Sequence, residues 1–140
     1  MAPAQFDHEK LRAYQEALRF VAWVEPLIEK LPPRLAVRDQ LDRSSTSVAL
    51  NIAEGNGKRS SNDRCRYLDI ARGSAVESAA CLDVLVARNK LEEHEIAEGK
   101  TILIGVVALV SGLIARFSPH RQAGLIREEP VPYLVENENE

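Results

Sequence analysis

The sequence predicts an all-α protein, an antiparallel up-down-up-down four-helix bundle over residues 1–118 that assembles as a homo-oligomer. An acidic, Pro-containing C-terminal tail is expected over 119–140. Three observations predict this. Aromatic residues are 5% of the chain against 45% hydrophobic, so aliphatic and small side chains must fill the core, whereas strands favour aromatic and β-branched residues. Apolar residues recur near a 3.6-residue period, and no strand alternation, hairpin signal or internal repeat interrupts them. The 140 residues suit one domain with a real core.

The first helix is expected from Asp7, a good N-cap, to about Lys30. Its stripe reads Leu11, Tyr14, Leu18, Val21, Ala22 and Val24. Pro26 should bend it or end it early, and Pro32-Pro33 breaks it. The second helix is expected over Arg34 to Glu54, with Leu41, Ser45, Val48 and Ile52 as its apolar stripe and Arg43, Ser47, Asn51 and Glu54 opposite. Gly55-Asn56-Gly57 supplies residues that tolerate left-handed backbone to end it. Ser60, Ser61 or Asn62 then caps a third helix to about Lys90, with Asp63 suiting its positive end. There Tyr67, Ile70, Ala71, Ser74, Ser78, Cys81, Leu82 and Leu85 face one way, and the small residues of 71–80 invite a close neighbour.

The fourth helix should begin between Glu92 and Glu95 and run to about Phe117. Its stretch from Thr101 to Ala115 is almost wholly apolar, yet shorter than the roughly 20 residues of a membrane span and flanked by Lys100 and Arg116. A helix apolar nearly all round is expected to be buried on several sides, by neighbours and another subunit, with no membrane involved. Beyond Ser118, Pro119, Pro130 and Pro132 break helical periodicity. Val131-Pro132-Tyr133-Leu134-Val135 forms an apolar island in the tail. It reads equally as a loose tail on its own domain or as an arm docking on a neighbouring subunit.

Charge is uneven. The total is −3, with an isoelectric point near 5.7. Arg34 to Arg72 holds eight basic and five acidic residues, a net +3, while Leu125 to Glu140 holds one Arg and five Glu, a net −4. A uniformly basic nucleic-acid binder is thereby disfavoured, and a basic middle with an acidic tail is expected. Cys65 and Cys81 fall on one helix, about 24 Å apart at 1.5 Å per residue, too far for a disulfide within the chain. Met1 to Lys10 has no apolar signal region, and a reducing cytoplasm is the simplest expectation.

A search for chemistry finds little. His8, His94 and His120 are isolated, and the residue three before His94 is Leu91, so no Glu-x-x-His metal motif forms. Glu92, Glu93, Glu95 and Glu98 read as a solvated helix start. The hydroxyls of Ser44-Ser45-Thr46-Ser47 lack a nucleophile elbow, and mid-helix Ser and Thr usually bond preceding carbonyls or permit close packing. Cys65 lies between Arg64 and Arg66 near a helix N-terminus, which tends to lower a thiol pKa. No histidine pairs with it, and a passive thiol is expected. Gly57-Lys58-Arg59-Ser60 fails as a phosphate loop, because Arg59 and Ile52 occupy positions that require Ser or Thr and Gly. No metal, cofactor or catalytic residue is assigned.

Two clusters remain. Arg43, Asn51 and Glu54 on helix two, with Arg66 and Glu77 on helix three, suit an ion-pair and amide network within or between subunits. Such buried pairs set register more reliably than they add stability. Lys58, Arg59, Arg64 and Arg66 surround the turn between helices two and three, with Arg72 extending along helix three. That patch suits phosphate, with a solvated surface as the alternative. Tyr67 is its one aromatic and is expected in the core, which leaves base stacking poorly supplied.

The pattern resembles a four-helix-bundle family named after proteins encoded in intervening sequences of bacterial 23S ribosomal RNA. The resemblance rests on Leu11-Arg12-Ala13-Tyr14-Gln15-Glu16-Ala17, Leu31-Pro32, and Gln40-Leu41-Asp42-Arg43-Ser44-Ser45-Thr46-Ser47. It continues in Asn51-Ile52-Ala53-Glu54-Gly55, Tyr67-Leu68-Asp69-Ile70-Ala71-Arg72-Gly73-Ser74 and Glu77, about the first 90 residues. It implies an antiparallel bundle assembling as a ring, a homopentamer, without enzyme activity. The chain is also similar to the accessory proteins of diversity-generating retroelements, which bind nucleic acid and a reverse transcriptase and are basic where this chain is acidic. Two functions follow as expectations. One is a non-enzymatic assembly protein with an RNA- or ribosome-related role. The other is a protein–protein scaffold or adaptor without nucleic-acid binding.

Overall fold

The computed structural model describes residues 3–118, which form four α-helices and a short 3-10 turn, with no strand among them. The turn is Asp7–Lys10, and the helices are α1 (Arg12–Lys30), α2 (Ala36–Asn56), α3 (Ser61–Ala87) and α4 (Glu93–Phe117). The expected tail over 119–140 lies outside the described residues. Short connections make successive helices antiparallel. α1 packs on α2 and α4, and α3 on α2 and α4, closing four helices around one apolar core.

The expected first helix is divided. Phe6 N donates to Glu9 Oε2 at 2.6 Å, which holds the 3-10 turn. Leu11 then turns extended before α1 begins. α1 does not end at Pro26 but runs through it. Pro26 and Ala22 are both exposed, so the carbonyl deprived of its amide partner four residues back can be solvated. The core face of α1 is Ala13, Ala17, Phe20, Val24, Leu27 and Ile28. The expected stripe is therefore rotated. Leu18 and Ala22 are exposed, and Leu11, Tyr14 and Val21 only half-buried. Beyond α1, Arg38 Nε donates to the Ile28 carbonyl at 3.0 Å, satisfying a carbonyl at the helix end.

Leu41, Ser45, Val48 and Ile52 of α2 are all buried, as their spacing predicts. The helix extends through Gly55 and Asn56, and Gly57 caps it with right-handed backbone, φ −83°. The left-handed ending expected there occurs instead after α3, where Asn89 takes φ 60° and the Lys90 amide reaches back to the Leu85 carbonyl at 2.9 Å. Gly55 has a different reason. A Cβ there would lie 3.0 Å from Tyr67 Cβ and 3.1 Å from the Arg64 carbonyl. Its missing side chain lets α3 cross close to α2.

Ser60 caps α3 by accepting from the Asp63 amide at 3.1 Å. Hydroxyls then zip α2 to α3. Ser44 Oγ and Ser78 Oγ stand 2.7 Å apart, and Ser47 Oγ and Ser74 Oγ 2.8 Å apart. Ser78 Oγ donates to the Ser74 carbonyl at 2.9 Å, which leaves the Ser44 hydroxyl to donate across to Ser78. The small residues of 71–80 therefore do bring a neighbour close, and that neighbour is α2. Ile70 does not join the core; it is 45% exposed.

α4 begins and ends where its charges and the following proline predict. Gly99 faces α1: a Cβ there would fall within 2.2–2.8 Å of three atoms of the Trp23 ring. The helix is long and apolar enough to cross a membrane by length and composition alone. Burial on several sides is not found among the described residues. Ile102, Leu103, Val106, Val107 and Val110 are buried, while Thr101, Ala108 and Gly112 are exposed and Ile104 is 40% exposed.

Candidate nucleic-acid interface

The site is one end of the helical array, where α1 and α3 begin and α2 and α4 finish. Three contacts tie it together. Asn56 Nδ2 donates to Asp7 Oδ2 at 2.9 Å, holding the 3-10 turn to the end of α2. Arg64 Nε donates to the Lys58 carbonyl at 2.7 Å, closing the α2–α3 turn. The Arg64 guanidinium also lies 4.7 Å from the centre of the Phe117 ring, which brings the end of α4 to the start of α3.

Cations and rings alternate over this end. Lys58 Nζ sits 5.0 Å and the Arg66 guanidinium 5.1 Å from the Tyr67 ring centre. Arg116 lies 5.4 Å from that of Phe117. Tyr67 is half-buried rather than core, because the cations hold its ring at the edge of the fold. Phe6 stacks on His8 with ring centroids 5.6 Å apart, and His8 meets Tyr14 edge to face at 4.7 Å; Phe6 is 74% exposed. Sequence reading missed these rings and Arg116. They lie far from the basic turn along the chain, and the Asn56–Asp7 and Arg64–Phe117 contacts help bring them to it.

The five expected phosphate-binding residues differ in availability. Arg59 and Arg66 are exposed and form no ion pair among the described residues. Lys58 is half-buried and reaches Glu54 Oε2 at 3.8 Å, an exposed pairing of small worth. Arg64 is committed to its turn and to Phe117. Arg72 stands apart, about 120° around α3 from Arg66 at 100° per residue.

The expected polar network of Arg43, Asn51, Glu54, Arg66 and Glu77 lines the outer face of the α2–α3 pair. Its members do not bond one another within the chain. Asn51 Nδ2 donates instead to the Ser47 carbonyl at 2.9 Å and to Ser47 Oγ at 3.0 Å, extending the serine zipper outward. The same face carries Leu50, 62% exposed, and Ile70.

Both thiols are held toward their neutral form. Cys65 Sγ donates to the Ile114 carbonyl at 3.7 Å, and burial, with Asp69 second, pushes its pKa up rather than down. The flanking Arg64 and Arg66 point to aromatic rings, which removes the basis for an activated thiolate. Burial and then Glu77 likewise raise Cys81. Both cysteines are free, as their separation requires. Among the described residues no group of three metal-ligating side chains converges. An open groove of about 240 Å³ between α3 and α4 is lined mainly by aliphatic residues including Val76, Ala80 and Ile104.

A family model described as 23S rRNA-intervening sequence protein matches residues 9–112. A solved structure, that of a protein of unknown function from the S23 ribosomal protein family of Bacteroides thetaiotaomicron, superposes with a TM-score of 0.68 at 22% identity. The match covers 73% of this chain and 97% of that one; at such identity it speaks for the fold. No curated protein matches the chain.

Proposed function

This chain belongs to the 23S rRNA-intervening sequence protein family, and from that premise we propose that it is a non-enzymatic, cytoplasmic bundle protein that self-assembles and binds RNA through its cationic end. The observation that carries the reading is the convergence of Lys58, Arg59, Arg66 and Arg116 with Phe6, His8 and Tyr14 at one end of the fold. Cations there answer phosphates, and the exposed Phe6 ring answers an unstacked base, the two components that single-stranded nucleic acid demands.

Self-assembly is part of the same proposal, with a homopentameric ring as the expected form. Its support is the outer α2–α3 face, where Leu50 and Ile70 stand exposed among Arg43, Asn51, Glu54, Arg66 and Glu77. Arg43 and Glu77, which form no ion pair among the described residues, would find partners in a second copy. A neighbouring copy, rather than lipid, also covers the outward strip of α4 around Ile104.

The test is binding of a labelled single-stranded RNA across a salt series. The variant Lys58→Glu/Arg59→Glu/Arg66→Glu should weaken binding about tenfold or more at low salt and flatten its salt dependence. Arg64 is left intact, because reversing it would open the turn. RNA binding equal in both proteins removes this end from the account. The second reading, a protein scaffold without nucleic acid, is favoured by the apolar groove between α3 and α4. A protein purified at low salt with no nucleic-acid absorbance, which also ignores the RNA, would select it.

A further inference from the structure

We propose that the acidic segment 125–140 of this chain docks on the cationic end of its own bundle and shields it from phosphate. The occupant is specified by three observations. The first is position. Ser118, the last described residue, follows Phe117, which lies under the Arg64 guanidinium, so the segment leaves the fold at the rim of the site. The second is reach. Residues 119–124 span up to about 20 Å at 3.3 Å per residue, comparable with the width of two packed helices.

The third is complementarity. The segment carries Glu128, Glu129, Glu136, Glu138 and Glu140 around the apolar island Val131-Pro132-Tyr133-Leu134-Val135. The bundle end offers exposed Arg59, Arg66 and Arg116, and the open ring of Phe6 is held at the same end by the Asp7–Asn56 bond. Acid meets base, and an apolar centre meets an exposed ring. Tethering raises the effective concentration of such a weak contact. Competition with RNA rests on the reading given under Proposed function; docking itself does not.

The test uses the full chain. In one variant all five glutamates of the segment become Gln, which frees the bundle end while leaving the fold's own residues untouched. A labelled synthetic peptide spanning 125–140 is titrated onto this variant, and labelled single-stranded RNA onto both chains. The variant should capture the peptide in a salt-sensitive manner. Adding Arg59→Glu/Arg66→Glu should abolish capture, and the variant should bind RNA about tenfold more tightly than the native chain at low salt. A peptide that is not captured, or is captured equally after the two arginine reversals, overturns the proposal, and RNA affinity equal in the two chains then leaves the RNA reading standing alone. Capture lost on arginine reversal, with no RNA bound by either chain, upholds docking and removes RNA from the account. Capture with measurable but equal RNA affinities overturns the shielding.

Discussion

At the scale of single residues, glycine and cysteine carry the sharpest consequences. Gly99 is where α4 receives Trp23. A methyl group there enters the ring's space, so Gly99→Ala should lose about 1–3 kcal/mol to displacement of the indole, less the roughly 1 kcal/mol that Ala gains in a helix. Because Trp23 is the one tryptophan, its emission should shift in the folded variant, and thermal unfolding should report the net cost; an unchanged spectrum would place the ring elsewhere. Cys65 and Cys81 have folded pKa values above the ordinary thiol value of 9.0. Their neutral form is favoured in the fold, so this contribution to stability is complete below that value and declines as pH rises through it toward the folded values. At mildly alkaline pH iodoacetamide should label both thiols more slowly in the native protein than in urea. Gly55 shows what spacing conceals: a glycine at a helix end reads as a left-handed cap, and only the crossing of α3 reveals it as a close-approach site.

Among the helices, the α2–α3 pair is the one joined by side-chain hydroxyl pairs. Ser44→Ala and Ser78→Ala should each cost about 1 kcal/mol by leaving a buried hydroxyl with fewer partners. The double variant should cost less than the two added together, since the orphaned partner is then gone. Chemical denaturation of the four proteins measures this coupling, and strict additivity would mean that the two hydroxyls do not share a bond. The start of α3 and both limits of α4 were legible in the sequence, because capping serines, acidic first turns and proline act locally. The face of α1 was not. Large apolar residues such as Leu18 and Val21 advertise a stripe, yet Ala13 and Ala17 are the ones that fit where neighbouring helices come close. Of the candidate site, the basic turn was legible from its consecutive charges. The cluster of Phe6, His8 and Tyr14 was not, since a bond across 49 positions between Asp7 and Asn56 helps place it.

For the whole molecule, the balance lies between a buried core and an apolar exterior left over. Leu50→Glu/Ile70→Glu should leave the helical content of the chain intact, because both side chains already face outward. It should reduce the light-scattering mass to that of a monomer by burying like charges between copies. A variant that assembles fully would move the interface to another face. Val110, fully buried, gives the contrast: Val110→Glu should lose the fold itself. The packing order of the helices also sets a timetable. Three of the four helix contacts join neighbours in the chain, and only α1 with α4 joins distant segments. Such local connectivity favours fast folding, with the α1–α4 seam as the step that must wait for the rest. Trp23 sits in that seam against Gly99, so a stopped-flow trace of its emission should time the closure of the ring of helices, while far-ultraviolet dichroism records the earlier growth of helix.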